Sequence, residues 1–428
     1  MLLVSSVAEV VRLRLESVLL GTADRVAEAF GVLSRPLSAG RFLSIARRRS
    51  GLDDFGSTAL QEPLQRLLDA CMTEAALSVV GRFAIRWDTL RFLVNLLRLR
   101  QEELRDPGIL CEPIDRPIFI TGLPRSGTTF LHRLLLEDGI NRGPVVWETI
   151  YPYPLEQAVD RRQQHVARQL HSFESLAPEF RSLHPLAADS PQECSEITGH
   201  VFRSLRFDTT YRVPSYRTWL DAEGQPEAYR FERRFLQHLQ HQRGPRRWVL
   251  KCPDHLFALT DLRAAFPDAR IVFVHRDPVK VMLSICRLTE VLRRPFTRQV
   301  DRMAIGREES ARWLDGTARM INACQEPIFQ APICHVNYLD LVANPLKTVA
   351  QVYDHFQLDL DTRTAGRIAR AVGEYPNGGY GRHSYQFEDH GLSAEAEREK
   401  FREYIEFFSI EPEPRQQKVT VPVNSQAA

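Results

Sequence analysis

The 428-residue sequence predicts an α/β domain with a central parallel sheet, preceded by a helical region. Three observations carry that expectation. First, short β-rich runs recur, each followed by an apolar pattern of helical spacing. Strands alternating with helices of roughly 10–15 residues fold as a parallel sheet with helices on its faces. Second, the clearest unit, RPIFITG then LPRSG then TTFLHRLLLEDG, reads as strand, glycine turn and helix over residues 116–139. Third, residues 1–110 carry helical spacing without strand signals. Leu60, Leu64, Leu67, Leu68 and Cys71 share one helical face, and the stretch from Phe83 to Leu104 repeats the pattern with arginines between.

Further strand–helix units follow in order. RRWVLK precedes DHLFALTDLRAAF, ARIVFVHRD precedes PVKVMLSICRLTEVLRR, and PICHVNY precedes NPLKTVAQVYDHF. Pro278 suits a helix start. The stretch 150–245 is irregular, with histidines, prolines and aromatics, and reads as a lid or a set of binding loops. The expected division is a helical N-terminal region over 1–110, an α/β domain over 111–410, and a frayed tail over 411–428. The N-terminal region reads as a cap or a dimerisation segment, which leaves a homodimer open.

Composition excludes several classes. Apolar residues at 43% and charged residues at 26% are ordinary globular values, so whole-chain disorder, collagen and coiled coil are out. Lys+Arg 56 against Asp+Glu 54 gives +2, so no global basic field attracts nucleic acid. The cysteines, at Cys71, Cys111, Cys194, Cys252, Cys286, Cys324 and Cys334, are scattered and form no CxxC pair. They point away from a disulfide scaffold or structural zinc and toward a reducing, cytoplasmic setting. No run of apolar residues is long enough to predict a membrane-spanning helix. The apolar start of the chain is interrupted by Glu9, Arg12, Arg14 and Glu16 and lacks the basic flank of a signal peptide. Only five of the 56 basic residues are lysines.

Gly122-Leu-Pro-Arg-Ser-Gly127-Thr128-Thr129 follows a strand and opens a helix. Its glycines let backbone N–H groups turn inward, and the helix start adds positive potential. Pro124, Arg125, Ser126, Gly127, Thr128 and Thr129 therefore form a candidate anion cradle, in a P-loop-like three-layer domain. Its spacing is that of GxxxxGK[ST], but Thr128 stands where a nucleoside-triphosphatase needs lysine. His275-Arg276-Asp277-Pro278, with Ser284 about two helical turns on, suggests a second anion site.

These two motifs together resemble the sulfotransferases that use 3′-phosphoadenosine 5′-phosphosulfate (PAPS). The segments around Lys251, VNYLDLVANPLKTV, GLDDFG, DSPQE and GRHSYQFEDHGLS extend the likeness over about residues 50–410. The resemblance implies that Arg125, Ser126, Gly127, Thr128 and Thr129 bind the 5′-phosphosulfate. Arg276 and Ser284 would bind the 3′-phosphate, and Tyr338 would lie near the adenine. Arg382, with His383 and Tyr385, would close over the nucleotide. Sulfuryl transfer needs a base for the acceptor's proton and a cation for the leaving phosphate. Lys251, at a strand end in a lysine-poor chain, is chosen with Arg125 for the cation. Glu148 and His184 are the candidate bases, with Glu193 third. Glu148 resembles the base of the tyrosylprotein branch; His184 titrates near neutrality. His184, Asp189 and Glu193 fit no metal template, so no metal is expected. The product would be 3′-phosphoadenosine 5′-phosphate (PAP), and the acceptor a small-molecule hydroxyl, lipid-like by the apolar content of 150–245. The alternatives are a P-loop nucleotide kinase or NTPase, which Thr128 disfavours, and a non-catalytic nucleotide-binding protein.

Overall fold

Five strands form one parallel sheet in the computed structural model, which describes residues 22–31, 33–56, 59–154, 159–180, 186–327, 333–374 and 386–413. They are β1 (Ile118–Gly122), β2 (Asn141–Arg142), β3 (Arg247–Lys251), β4 (Arg270–His275) and β5 (Ile333–Asn337). Their order is β2-β3-β1-β4-β5, and every pairing is parallel. The first strand is thus central. The chain adds β2 and β3 on one side, then crosses to add β4 and β5 on the other. At such a reversal an α/β fold opens a crevice beyond the carboxyl ends of its strands.

Alternation along the strands builds the layers. Ile118, Ile120, Val249, Val272 and Val274 pack with Leu131, Leu134, Val349, Val352 and Ile368 on one face. Phe119, Leu250, Ile271 and Phe273 enter the larger core on the other. Successive side chains of a strand point to opposite faces, so strands buried on both sides read as unbroken apolar runs.

The helices Ala39–Ser50, Gln61–Thr73 and Val79–Arg105 confirm the helical character expected before the sheet. They do not form a core of their own. Leu64, Phe92 and Leu96 belong to the same cluster as Phe202, Phe235, Trp248 and Phe273. A buried square of charges reinforces the join. Arg91 bonds Asp88 and Glu196, both at 2.7 Å, and Arg206 bonds the same two carboxylates at 3.2 Å.

The stretch 150–245 departs from its irregular reading. It folds into helices Arg162–Leu176, Cys194–Thr198, Arg206–Tyr211, Pro214–Glu223 and Pro226–Arg243. In the last of these the buried face carries Glu232, Gln237, His238 and Gln240. Such residues interrupt an apolar stripe, yet His238 meets Glu103 at 3.0 Å and Gln240 meets the Pro113 carbonyl at 2.7 Å. The helix expected over 254–266 is split into a 3₁₀ turn, Pro253–Phe257, and a helix, Leu259–Ala265. The frayed tail also needs correction at its start, since Glu413 is held by Arg276.

One shared core has a measurable consequence. Phe92 is fully buried, with its ring 4.6 Å from that of His200. Phe92→Ala is expected to cost about 3–5 kcal/mol. Helical circular dichroism and tryptophan fluorescence should fall together in denaturant, in one transition. An earlier, separate loss of helical signal would show an independent N-terminal unit.

Candidate active site

The site begins where β1 ends. Gly122 has φ 146°, and a Cβ there would lie 2.3 Å from the Val274 carbonyl oxygen of β4. Beyond it Arg125 adopts φ 63° and Gly127 φ 93°. The left-handed conformation is strained at Arg125, a non-glycine residue, and such strain persists only where surroundings hold it. Two contacts do so. The Arg125 carbonyl accepts a 2.5 Å hydrogen bond from Arg276 Nη1, and Arg125 Nε donates to Ser284 Oγ at 3.0 Å.

Arg276 directly follows β4, and Asp277 caps the helix Pro278–Arg293 by accepting from the Val279 N–H at 3.0 Å. Ser284 lies on that helix. Tyr338 opens the helix Tyr338–Ala343 directly after β5. Its ring lies 3.9 Å from the Arg276 guanidinium and packs on the loop, where a Cβ on Gly127 would approach it to 2.9 Å. Motifs about 150 residues apart in sequence thus form one construction.

They border a cavity of about 360 Å³. Pro124, Arg125, Gly127, Thr128, Thr129, Arg276 and Tyr338 line it, and the helix Thr128–Leu136 starts at its wall. Ser126 is fully buried, and its hydroxyl has no hydrogen-bond partner among the described residues. An anion oxygen would satisfy such a donor. Much of the remaining wall is apolar, with Phe180, Leu186, Ile285, Leu288, Leu292 and Trp313.

Three carboxylates, Glu193, Glu196 and Asp254, also line the cavity. Glu196 belongs to the square with Arg91 and Arg206. Glu193 is ion-paired with Lys251, which is only 3% exposed at the end of β3. Burial, and next the negative charge of Glu193, push the Asp254 carboxyl up to about 7. Asp254 therefore exchanges its proton near neutrality, where general acid–base catalysis is most effective.

The geometry does not bring Glu148 to this cavity. It is 4% exposed, and its carboxylate meets Arg142 at 3.0 Å and Arg243 at 3.2 Å. It also turns back to accept from the Val145 N–H at 3.4 Å, at the start of its own helix. Position along the chain suggested a base; local capping and two arginines give a structural anchor instead. His184 and Arg382, with His383 and Tyr385, lie outside the described residues. Lys251 approaches the cavity through Glu193. The sequence reading missed Asp254, although a carboxylate three residues after a strand-terminal lysine was the available signal. It also missed Arg133, on the wall from the helix that the loop opens.

A second polar group lies outside the cavity wall. Cys194, Glu232 and His255 are buried with donor atoms within 4.8 Å of one another. Burial pushes the Glu232 carboxyl up to about 8, so it keeps its proton at neutral pH. His255 Nδ1 pairs with the Tyr229 hydroxyl at 2.7 Å.

Residues 117–362, more than half of the chain, match the sulfotransferase family model. The chain belongs to the sulfotransferase family. The matched span holds every strand and both anion motifs. The sulfotransferase STF1 of Mycobacterium tuberculosis superposes with a TM-score of 0.75 at 32% identity, covering 85% of this chain and 98% of that one. STF9 of Mycobacterium avium gives 0.80 at 26% identity, over 88% and 98%. The omega-hydroxy-beta-dihydromenaquinone-9 sulfotransferase Stf3 of Mycobacterium bovis is 26% identical over 250 residues. That alignment spans 57% of this chain and 63% of the relative's length.

For this family member the raised Asp254 carboxyl sets a pH dependence of stability. The folded state holds that proton to about pH 7, while the unfolded chain releases it near the ordinary aspartate value of 3.8. The folded state binds more protons between those values, so this group's contribution to stability falls as pH rises through that window. Asp254→Asn should raise the melting temperature relative to wild type at pH 8 by a few degrees. It should change it little at pH 4. Melting curves across pH check this; a pH-independent difference would contradict it.

Proposed function

We propose that the protein transfers a sulfuryl group from PAPS to the hydroxyl of a small-molecule acceptor and releases PAP. The observation that carries this reading is the convergence of Arg125, Arg276 and Tyr338 at one end-of-sheet cavity, with Ser284 holding the Arg125 side chain. The donor bears about four negative charges, and guanidinium groups bind such oxygens strongly through paired, charge-assisted hydrogen bonds. The loop 124–129 would hold the 5′-phosphosulfate. Arg276 and Ser284 would take the 3′-phosphate, with Tyr338 beside the adenine.

In the transfer, the acceptor oxygen forms a bond to sulfur as the bond from sulfur to the 5′-phosphate oxygen breaks. The acceptor proton passes to a base, and the leaving phosphate keeps the electron pair. Positioning and charge stabilisation dominate such in-line transfers. Glu193 and Asp254 are the carboxylates we assign to the acceptor side, as a coupled unit that accepts that proton. Lys251 acts through Glu193 as a positioning residue, holding the carboxylate in place. Arg125 and the loop amides would steady the developing phosphate charge. The apolar wall favours a lipid-like or aromatic alcohol. The Mycobacterium bovis relative, an omega-hydroxy-beta-dihydromenaquinone-9 sulfotransferase, supports an acceptor of that kind.

Thermal unfolding with PAP tests the donor half. A ligand at 100 times its dissociation constant stabilises the fold by about 2.7 kcal/mol. PAP should raise the melting temperature, ATP with magnesium should not, and Arg276→Ala should abolish the shift. A shift with ATP and magnesium alone would favour a kinase.

Sulfate transfer from labelled PAPS to an apolar alcohol such as dodecanol tests the acceptor half. Glu193→Gln should lower kcat roughly 100-fold or more, as expected for loss of a general base. Glu148→Gln should lower the melting temperature, because it weakens two arginine pairings in a buried setting. Its kcat should stay within about threefold of wild type, the residue being remote from the chemistry. The reverse pattern would return the base to Glu148.

A further inference from the structure

The guanidinium of Arg276 is already occupied in the structure. Its Nε and Nη2 donate to the two carboxylate oxygens of Glu413, at 2.6 and 2.9 Å. Its Nη1 donates to the Arg125 carbonyl at 2.5 Å. The fork that suits a carboxylate bidentately is the same fork that suits a phosphate. Glu413 therefore holds the edge of Arg276 that a bound 3′-phosphate would use.

This contact is built. Tyr404 is buried and its hydroxyl lies 3.1 Å from His275 Nδ1. Phe408 packs on the His275 ring at 4.2 Å between centroids. These residues fix the helix Arg402–Phe407 against the end of β4. The chain then runs to Glu413, whose own N–H donates to Asp277 Oδ2 at 3.2 Å. Arg398 bonds the same oxygen at 3.0 Å. The segment is anchored at the helix and again at the two residues, Arg276 and Asp277, that form the second anion motif.

We propose that Glu413 is an internal competitor for the 3′-phosphate, so that donor binding exchanges a carboxylate of the chain for the phosphate of the nucleotide. The proposal rests on the donor reading above and goes beyond it. A carboxylate and a phosphate on one guanidinium edge repel each other, so the two states exclude one another. The exchange makes Glu413 a selectivity element. A nucleotide carrying a 3′-phosphate gains Arg276 and releases Glu413. A nucleotide with a free 3′-hydroxyl gains nothing from displacing it and leaves the ion pair in place. Glu413 lies outside the span matched by the family model.

Titration calorimetry with PAP and with 5′-AMP tests this on the full chain, comparing wild type with Glu413→Gln and Glu413→Ala. Both variants are expected to bind PAP roughly tenfold more tightly, a fold-change equivalent to about 1.4 kcal/mol. Their affinity for 5′-AMP should be unchanged. A lower melting temperature without ligand, with a larger PAP-induced shift, should accompany this. If both variants bind PAP as wild type does, or more weakly, Glu413 does not compete and the proposal is overturned. Equal tightening for PAP and 5′-AMP would also overturn it, since the effect would not concern the 3′-phosphate. Failure of all three proteins to bind PAP would overturn the donor reading, and the competition with it.

Discussion

The hydrogen bond from Arg276 to the Arg125 carbonyl is the tie on which the site depends. It spans the two halves of the crevice, from the end of β4 to the loop after β1. The loop needs it, because Arg125 sits in a left-handed conformation that a side chain resists. Ser284 provides the second restraint, on the Arg125 side chain. Together they hold a cationic residue with its backbone turned so that the loop can open a helix at Thr128. The strain is local, and the flanking parallel pairing of β1 with β4 supplies the rigidity that maintains it.

Charge on the acceptor side follows a different logic. Most buried carboxylates near the site are matched by arginines, as Glu196 is by Arg91 and Arg206. Desolvation and the charge of Glu193 outweigh the Arg312 charge at Asp254, and its proton affinity rises. A fold selected for stability alone would replace such a carboxyl by an amide or add a cation. Retaining it trades stability for a group poised near neutral pH. Lys251 pairs with Glu193, the neighbouring carboxylate of the same wall.

The loop side of the crevice was legible in the sequence because backbone geometry writes it in residue types. Gly122 and Gly127 mark close approach and positive φ, and the β-rich runs mark the strands that end at the site. The helical side was less legible. The helix Pro226–Arg243 buries Glu232, His238 and Gln240, the last two against partners far away in the chain, so its apolar period is obscured. β2 has only two residues and leaves no hydrophobic run to find. The placement of Glu148 away from the cavity was not legible for a related reason. Its spacing after the loop says nothing about whether its side chain turns to the crevice or back to Val145 and two arginines.

These two kinds of legibility reflect two kinds of construction. The donor loop rests on strand ends and backbone contacts, which tolerate change only at the level of the fold. The acceptor wall rests on helices whose positions are set by the helix Val79–Arg105, through Phe92 and the Arg91 square. Glu196 and Arg206 line the cavity and are held there by residues that do not. Substitutions in the N-terminal helices therefore reach the acceptor wall mechanically, through one shared core. They leave the Arg276–Arg125 tie untouched. The charged loop and the apolar wall of the crevice are thus set by different elements.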